Sequence, residues 1–105
     1  MPDAWQLIWT RPAAEDVNRL RAFIRVHDPD AAQRAAQAIQ KAAALLLQHP
    51  SIGHPAHDLP DFRDLFIPFG NRGYVMRYRL DKNHIIVVRV WHSLEERHPS
   101  EEDGS

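Results

Sequence analysis

The segment Arg63–His92, RDLFIPFGNRGYVMRYRLDKNHIIVVRVWH, decides the fold. Leu65, Ile67 and Phe69 fall on alternate positions, the period-two pattern of a strand with one buried face. Gly70-Asn71-Arg72-Gly73 has the residues of a hairpin turn. Beyond it Tyr74, Met76, Tyr78 and Leu80 alternate with Val75, Arg77 and Arg79. Asp81-Lys82-Asn83 turns the chain again, and Ile85–His92 is rich in the β-branched residues that suit a pleated surface. Three strands joined by turns this short form an antiparallel meander. By simple alternation Ile85, Val87 and Trp91 share one face of the last strand and His92 points to the other.

Upstream, residues 50–62 (PSIGHPAHDLPDF) carry three prolines and a glycine, which predicts an ordered surface loop. Before the loop, Asp28-Pro29 reads as an N-cap and a first helical residue. Ala32, Ala35, Ile39, Ala42 and Leu46 then recur at helical spacing, and the helix must end by His49-Pro50. A first helix precedes it, capped by Thr10 with Pro12 in its first turn. Its apolar stripe is Ala13, Val17, Leu20, Ile24 and His27, widened by Phe23. A link this short makes the two helices an antiparallel hairpin. Trp5, Leu7 and Trp9 alternate as a strand, expected at an edge of the sheet. The order is strand, helix hairpin, three-stranded meander, and the class is α+β with the helices on one face.

A length of 105 residues suits one domain and one thin core. Residues 1–97 are expected to form it, with 98–105 as an acidic, disordered tail. The absence of cysteine excludes a disulfide scaffold and thiolate chemistry. Met1–Thr10 has no basic signal region, and the longest apolar run, Ala42–Leu47, is too short to span a bilayer. A cytoplasmic location without membrane association is therefore expected.

The net charge of −1 averages two unlike parts. Residues 1–94 hold 12 bases and 9 acids, a charge of +3, whereas 95–105 hold five acids and one base, a charge of −4. Eleven of the 13 bases are arginine, suited to bidentate pairing with carboxylate or phosphate. The body of the chain thus permits an anionic partner without requiring one.

There is no glycine-rich phosphate loop, no G-x-S-x-G turn and no H-E-x-x-H helix. His54 and His57, followed by Asp58, have part of a metal set's spacing, but a solvated loop explains them as well; no metal and no cofactor is expected. The remaining chemistry lies in Arg63, Arg77, Arg79, Arg89 and His92. Arg77 and Arg79 share a strand face, and an arginine stripe on an open sheet can meet an anionic surface or simply pair with local carboxylates. Arg63 and His92 belong at opposite ends of an antiparallel meander, which counts against joint action on one phosphate. Trp91 could stack on a base but is expected to pack in the sheet.

Three stretches together resemble the RelE/ParE superfamily of toxins. They are Trp9-Thr10-Arg11-Pro12-Ala13-Ala14-Glu15-Asp16; His49-Pro50-Ser51-Ile52-Gly53; and the meander with Arg63-Asp64-Leu65, Gly73–Arg79 and Ile86–Ser93, followed by Arg97. The ParE branch is closer, through P-x-I-G, R-Y-R and the ending V-W-H-S-x-x-x-R. The resemblance implies a type II toxin neutralised by a cognate antitoxin. A ParE-like member would inhibit DNA gyrase by protein binding, with no catalytic residue, and Arg63, Arg77, Arg79 and His92 as target contacts. A RelE-like member would instead cut mRNA on the ribosome without a metal, and Arg63, Arg77 and His92 would then be catalytic. A third possibility is a non-toxic homologue that still binds antitoxin. The chain has only Lys41 and Lys82 and carries Ser93 rather than tyrosine after His92, which favours gyrase inhibition over phosphate cleavage.

Overall fold

The computed structural model describes residues 4–95; Arg97 and the acidic tail, 98–105, lie outside the described residues. The elements run β1 (Gln6–Trp9), α1 (Arg11–His27), α2 (Pro29–Leu46), β2 (His54–Pro55), β3 (Arg63–Phe69), β4 (Arg72–Asp81) and β5 (His84–His92). They form one sheet in the order β1-β5-β4-β3-β2. The meander is antiparallel, while β1 lies at the edge, parallel to β5 from Gln6↔His84 to Trp9↔Val87. The proline-rich loop contributes a fifth strand that periodicity could not reveal: His54 and Pro55 pair with Asp64 and Arg63. Two residues are too few to show alternation.

The helices begin and end where their capping residues require. Thr10 Oγ1 accepts from Ala13 N at 3.2 Å. Asp28 serves both helices: its N–H donates to Ile24 O at 2.8 Å, and its carboxylate accepts from Ala31 N at 3.1 Å. One residue thereby closes α1 and opens α2, which fixes the hairpin. The buried stripe of α2 is Ala32, Ala35, Ile39, Ala43 and Leu46, and the expected Ala42 packs beside it, partly buried. The expected α1 stripe holds at Ala13, Val17, Leu20 and Ile24, which pack in or against the core, and fails at its C-terminal end. Ala13, Asp16 and Leu20 are buried, whereas His27 is exposed and Phe23 is 70% exposed. The helix tip thus overhangs the sheet instead of packing on it.

Between helices and sheet lie Leu20, Ile39, Leu46, Ile67, Tyr74, Met76, Tyr78, Ile85, Val87 and Val90. Alternation explains this face of β4 but fails on β5. Tyr78 pairs with Val87 and Arg77 with Arg89, leaving Val88 without a partner in the ladder. This extra residue is a β-bulge, and it reverses the parity of everything after it. Val90 and His92 therefore turn to the helices beside Met76 and Tyr74, and Trp91 turns to the opposite face. The expectation that Trp91 shares a face with Ile85 and Val87 is corrected by this one residue. Thr10 holds the bulge, its Oγ1 lying 3.0 Å from Val87 O and 3.2 Å from Val88 O.

The P-x-I-G loop is shaped by Tyr78. The phenol donates to Pro50 O at 2.7 Å and accepts from Gly53 N at 2.9 Å. A Cβ on Gly53 would stand 2.8 Å from the Tyr78 oxygen and 2.9 Å from its ring. Only glycine lets the loop lie so close. Gly53→Ala should cost about 1–3 kcal/mol, as overpacking does, seen as a lower urea midpoint with an unchanged slope. Burial raises the phenol pKa values of Tyr74 and Tyr78. The folded state thus holds these protons more tightly than the unfolded chain does. Their stabilisation is complete below about pH 10 and falls as pH rises through the folded values. Denaturation curves across that range should show the loss, and Tyr78→Phe should reduce its steepness.

Candidate functional site

The sheet presents two unlike surfaces. On the helix side, a groove of ≈ 760 Å³ runs between α1 and the β3–β4 turn. Leu20, Phe23, Ile24, Phe69 and Tyr74 make it apolar, and Arg19, Arg72, His92, Leu94 and Glu95 are also in its lining. Phe23 and Leu94 are 70% and 55% exposed, so this groove leaves large apolar side chains uncovered. His92 stands edge-on to Tyr74, with ring centres 5.3 Å apart, and its Nδ1 accepts from Leu94 N at 3.0 Å.

Among the described residues, the other face carries no helix. One row of side chains crosses it from His54 through Asp64 and Arg77 to Arg89, and the next holds Phe66, Val75 and Trp91. Along the second row, a cleft of ≈ 540 Å³ is lined by His54, His57, Asp64, Phe66, Trp91 and neighbours. Phe66 is half exposed and lies over Gly73, where a Cβ would meet its ring at 2.5 Å. No cluster of three histidine, cysteine or acidic side chains able to hold a metal occurs among the described residues. Asp58 instead directs its carboxylate to Arg77.

Arg77 was expected to be an exposed contact; it is 2% exposed. Its Nε donates to Asp64 at 2.8 Å and its Nη2 to Asp58 at 2.8 Å and Asp64 at 3.0 Å. Trp91 covers the guanidinium at 5.3 Å from the ring centre. The Asp64 hydrogen bond leads in raising the Arg77 pKa, opposing burial, with Asp58 adding to it. This cation is paired within the fold. It ties the proline-rich loop to β3 and β4.

The other expected contacts separate as well. Arg63 lies on the helix side of β3, donating to Ser51 O at 3.1 Å and Gly53 O at 2.7 Å. It pairs with Tyr78, and His92 with Tyr74, four residues away on β4 and so about 13 Å along the strand. Arg79 is partly exposed on the open face, 4.0 Å from Asp81. Arg63, Arg77 and His92 therefore do not converge on one point of the surface. Arg89 binds Asp16 through Nε and Nη2 at 2.8 and 3.1 Å.

Asp16, Arg19, Phe66 and Glu95 emerge from tertiary contacts. Asp16 also accepts from Val90 N at 2.9 Å, which satisfies β5 beyond the end of β1. Its only advance sign is its spacing of three and four from Ala13 and Leu20, within the apolar stripe. Among the described residues, no buried side-chain nitrogen or oxygen lacks a hydrogen-bond partner.

This arrangement, a helix hairpin on one face of a mixed sheet, agrees with known proteins. Residues 7–97 match the profile of the ParE toxin of the type II toxin–antitoxin system parDE. Toxin RelE1 of Caulobacter vibrioides is 40% identical over 85 residues, 81% of this chain and 89% of the relative. Toxin RelE3 of the same organism is 35% identical over 85 residues, 81% and 90% of the two chains. Among solved structures, one described as the chromosomal ParDE system from P. aeruginosa superposes with a TM-score of 0.74. It is 25% identical, and the match covers 85% of this chain and 96% of that one. The fold is that of the RelE/ParE superfamily. The chain belongs to the ParE toxin family of type II toxin–antitoxin systems.

The buried Arg77 makes a direct prediction. Changing Asp58 and Asp64 together to asparagine leaves a guanidinium inside without compensating charge. Stability should fall by about 3–5 kcal/mol in urea denaturation. Arg79→Ala, which removes an exposed and distant ion pair, should cost under about 1 kcal/mol.

Proposed function

We propose that the chain is a toxin that inhibits DNA gyrase by protein contact and is neutralised by a cognate antitoxin. The observation behind this reading is the enclosure of Arg77 by Asp58, Asp64 and Trp91. A phosphate-cleaving surface needs cations aimed at developing negative charge. Here the central cation of the open face is already paired, and half-exposed Phe66 stands beside it. Aromatic groups with few free charges are characteristic of protein-interface cores. Phe66, Arg79 and the two loop histidines are the contacts assigned to the target. His92 and Arg63, on the helix side, leave that set. The cytoplasm, where gyrase works, is the location this reading requires.

The antitoxin has a separate place. The apolar groove beside α1, with Arg19 and Arg72 in its lining, suits an amphipathic acidic segment that folds as it binds. The solved structure with TM-score 0.74 is itself from a ParDE toxin–antitoxin system, which supports such a partner.

One observation favours the ribonuclease alternative: His54, His57 and Asp64 line a single open cleft, where imidazoles could transfer protons. Induction without antitoxin decides between the two. The gyrase reading expects growth arrest with gyrase-linked DNA breaks and intact mRNA. Phe66→Ala should lower break formation about tenfold, the effect of losing an interface anchor, while antitoxin binding persists. Codon-specific mRNA cuts that disappear in His57→Ala would overturn it. Unaffected growth with a stable antitoxin complex would identify a non-toxic binding homologue.

A further inference from the structure

The groove beside α1 already contains a carboxylate. Arg19, on α1, and Glu95, on the turn after β5, both line it. Arg19 Nη1 lies 3.2 Å from Glu95 Oε2, while Glu95 Oε1 accepts from His92 N at 2.7 Å. Arg19 is not held by Glu95 alone, because Asp16 stands 3.7 Å from its Nη2. Asp16 is in turn fixed by Arg89 and by Val90 N. The cation therefore stays near its place on α1 whether or not Glu95 remains. Both side chains of the Arg19–Glu95 pair are partly exposed, at 51% and 39%, and such pairs are weak and exchange readily. Leu94, between His92 and Glu95, is 55% exposed at the same groove.

We propose that Glu95 is an internal stand-in for a carboxylate of the partner. An acidic, apolar segment entering the groove would set its apolar side chains against Phe23, Ile24 and Tyr74 and place a carboxylate on Arg19. Glu95 would then leave, and the short turn 93–95 would swing outward with Leu94. The groove is accordingly specific for an apolar segment that carries a negative charge. Charge complementarity with Arg19 and Arg72 sets that preference, and Glu95 competes with the ligand for the first of them. This inference rests on the antitoxin reading only for the identity of the natural segment; the chemistry of the groove stands independently.

Two measurements on the full chain test it. In the first, a cognate antitoxin is titrated at low salt. Glu95→Gln should bind about threefold more tightly, as expected from removing an exposed competing pair. Arg19→Ala should weaken binding and abolish the gain from Glu95→Gln in the double variant. An unchanged or weaker Glu95→Gln complex, or the same gain without Arg19, would overturn the proposal while leaving the antitoxin reading intact. The second uses a fluorescein-labelled amphipathic helical peptide with a leucine stripe and terminal glutamates, beside its glutamine counterpart. The glutamate form should bind about threefold better in a salt-sensitive manner, and Phe23→Asp should abolish binding of both. Equal binding of the two peptides, or binding of neither, would also overturn it. If the peptide binds as expected and the antitoxin does not, the antitoxin reading fails and the groove chemistry survives.

Discussion

One unpaired residue in β5 determines what each surface of this molecule can do. Val88 has no partner in the ladder with β4, so the strand takes an extra step between Val87 and Arg89. Without that step, Trp91 would lie under the helices and His92 would face the open side. With it, Val90 enters the core, His92 enters the apolar groove, and Trp91 covers Arg77. A bulge disrupts the ladder locally and leaves backbone groups needing partners. The start of α1 supplies them: Thr10 donates to the Val87 and Val88 carbonyls, and Asp16 accepts from Val90 N. The helix start and the bulge thus hold each other.

Two buried charges complete the framework, and they differ in kind. Asp16 sits on a helix and satisfies the free edge of β5 where β1 has ended. Arg77 sits within the sheet and gathers Asp58 from the loop and Asp64 from β3. Removing one side of such a cluster is costly because the remaining charge stays out of water. Both groups explain why a chain with many arginines offers fewer free cations than its composition suggests. Arg63, Arg77 and Arg89 are each engaged with carbonyls or carboxylates of the fold.

The result is a division between two faces. The groove beside α1 is apolar with arginines in its lining, and the open face is aromatic with its central cation neutralised. Opposite surfaces of different chemistry allow one small chain to engage two unlike partners, with the helix hairpin forming a wall of only one of them. The turn after β5 joins the groove to the end of the strand carrying Trp91.

The helix hairpin, the meander and the family were legible from local patterns. Capping by Thr10 and Asp28 and the two-residue period of β3 and β4 depend on neighbours a few positions apart. The loop motif was recognisable too, although its cause, Gly53 against Tyr78, lies across 25 residues. Much of the candidate site was not legible. Whether an arginine is a contact or a structural ion depends on carboxylates distant in sequence: Arg77 is 13 and 19 residues from its partners, and Arg89 is 73 from Asp16. Sequence alone determined the helix hairpin, the meander and the α+β class, because propensity, capping and periodicity are short-range. Only the tertiary structure decided which charges remain free and which face each side chain takes, because one unpaired residue reverses parity and burial makes ions pair.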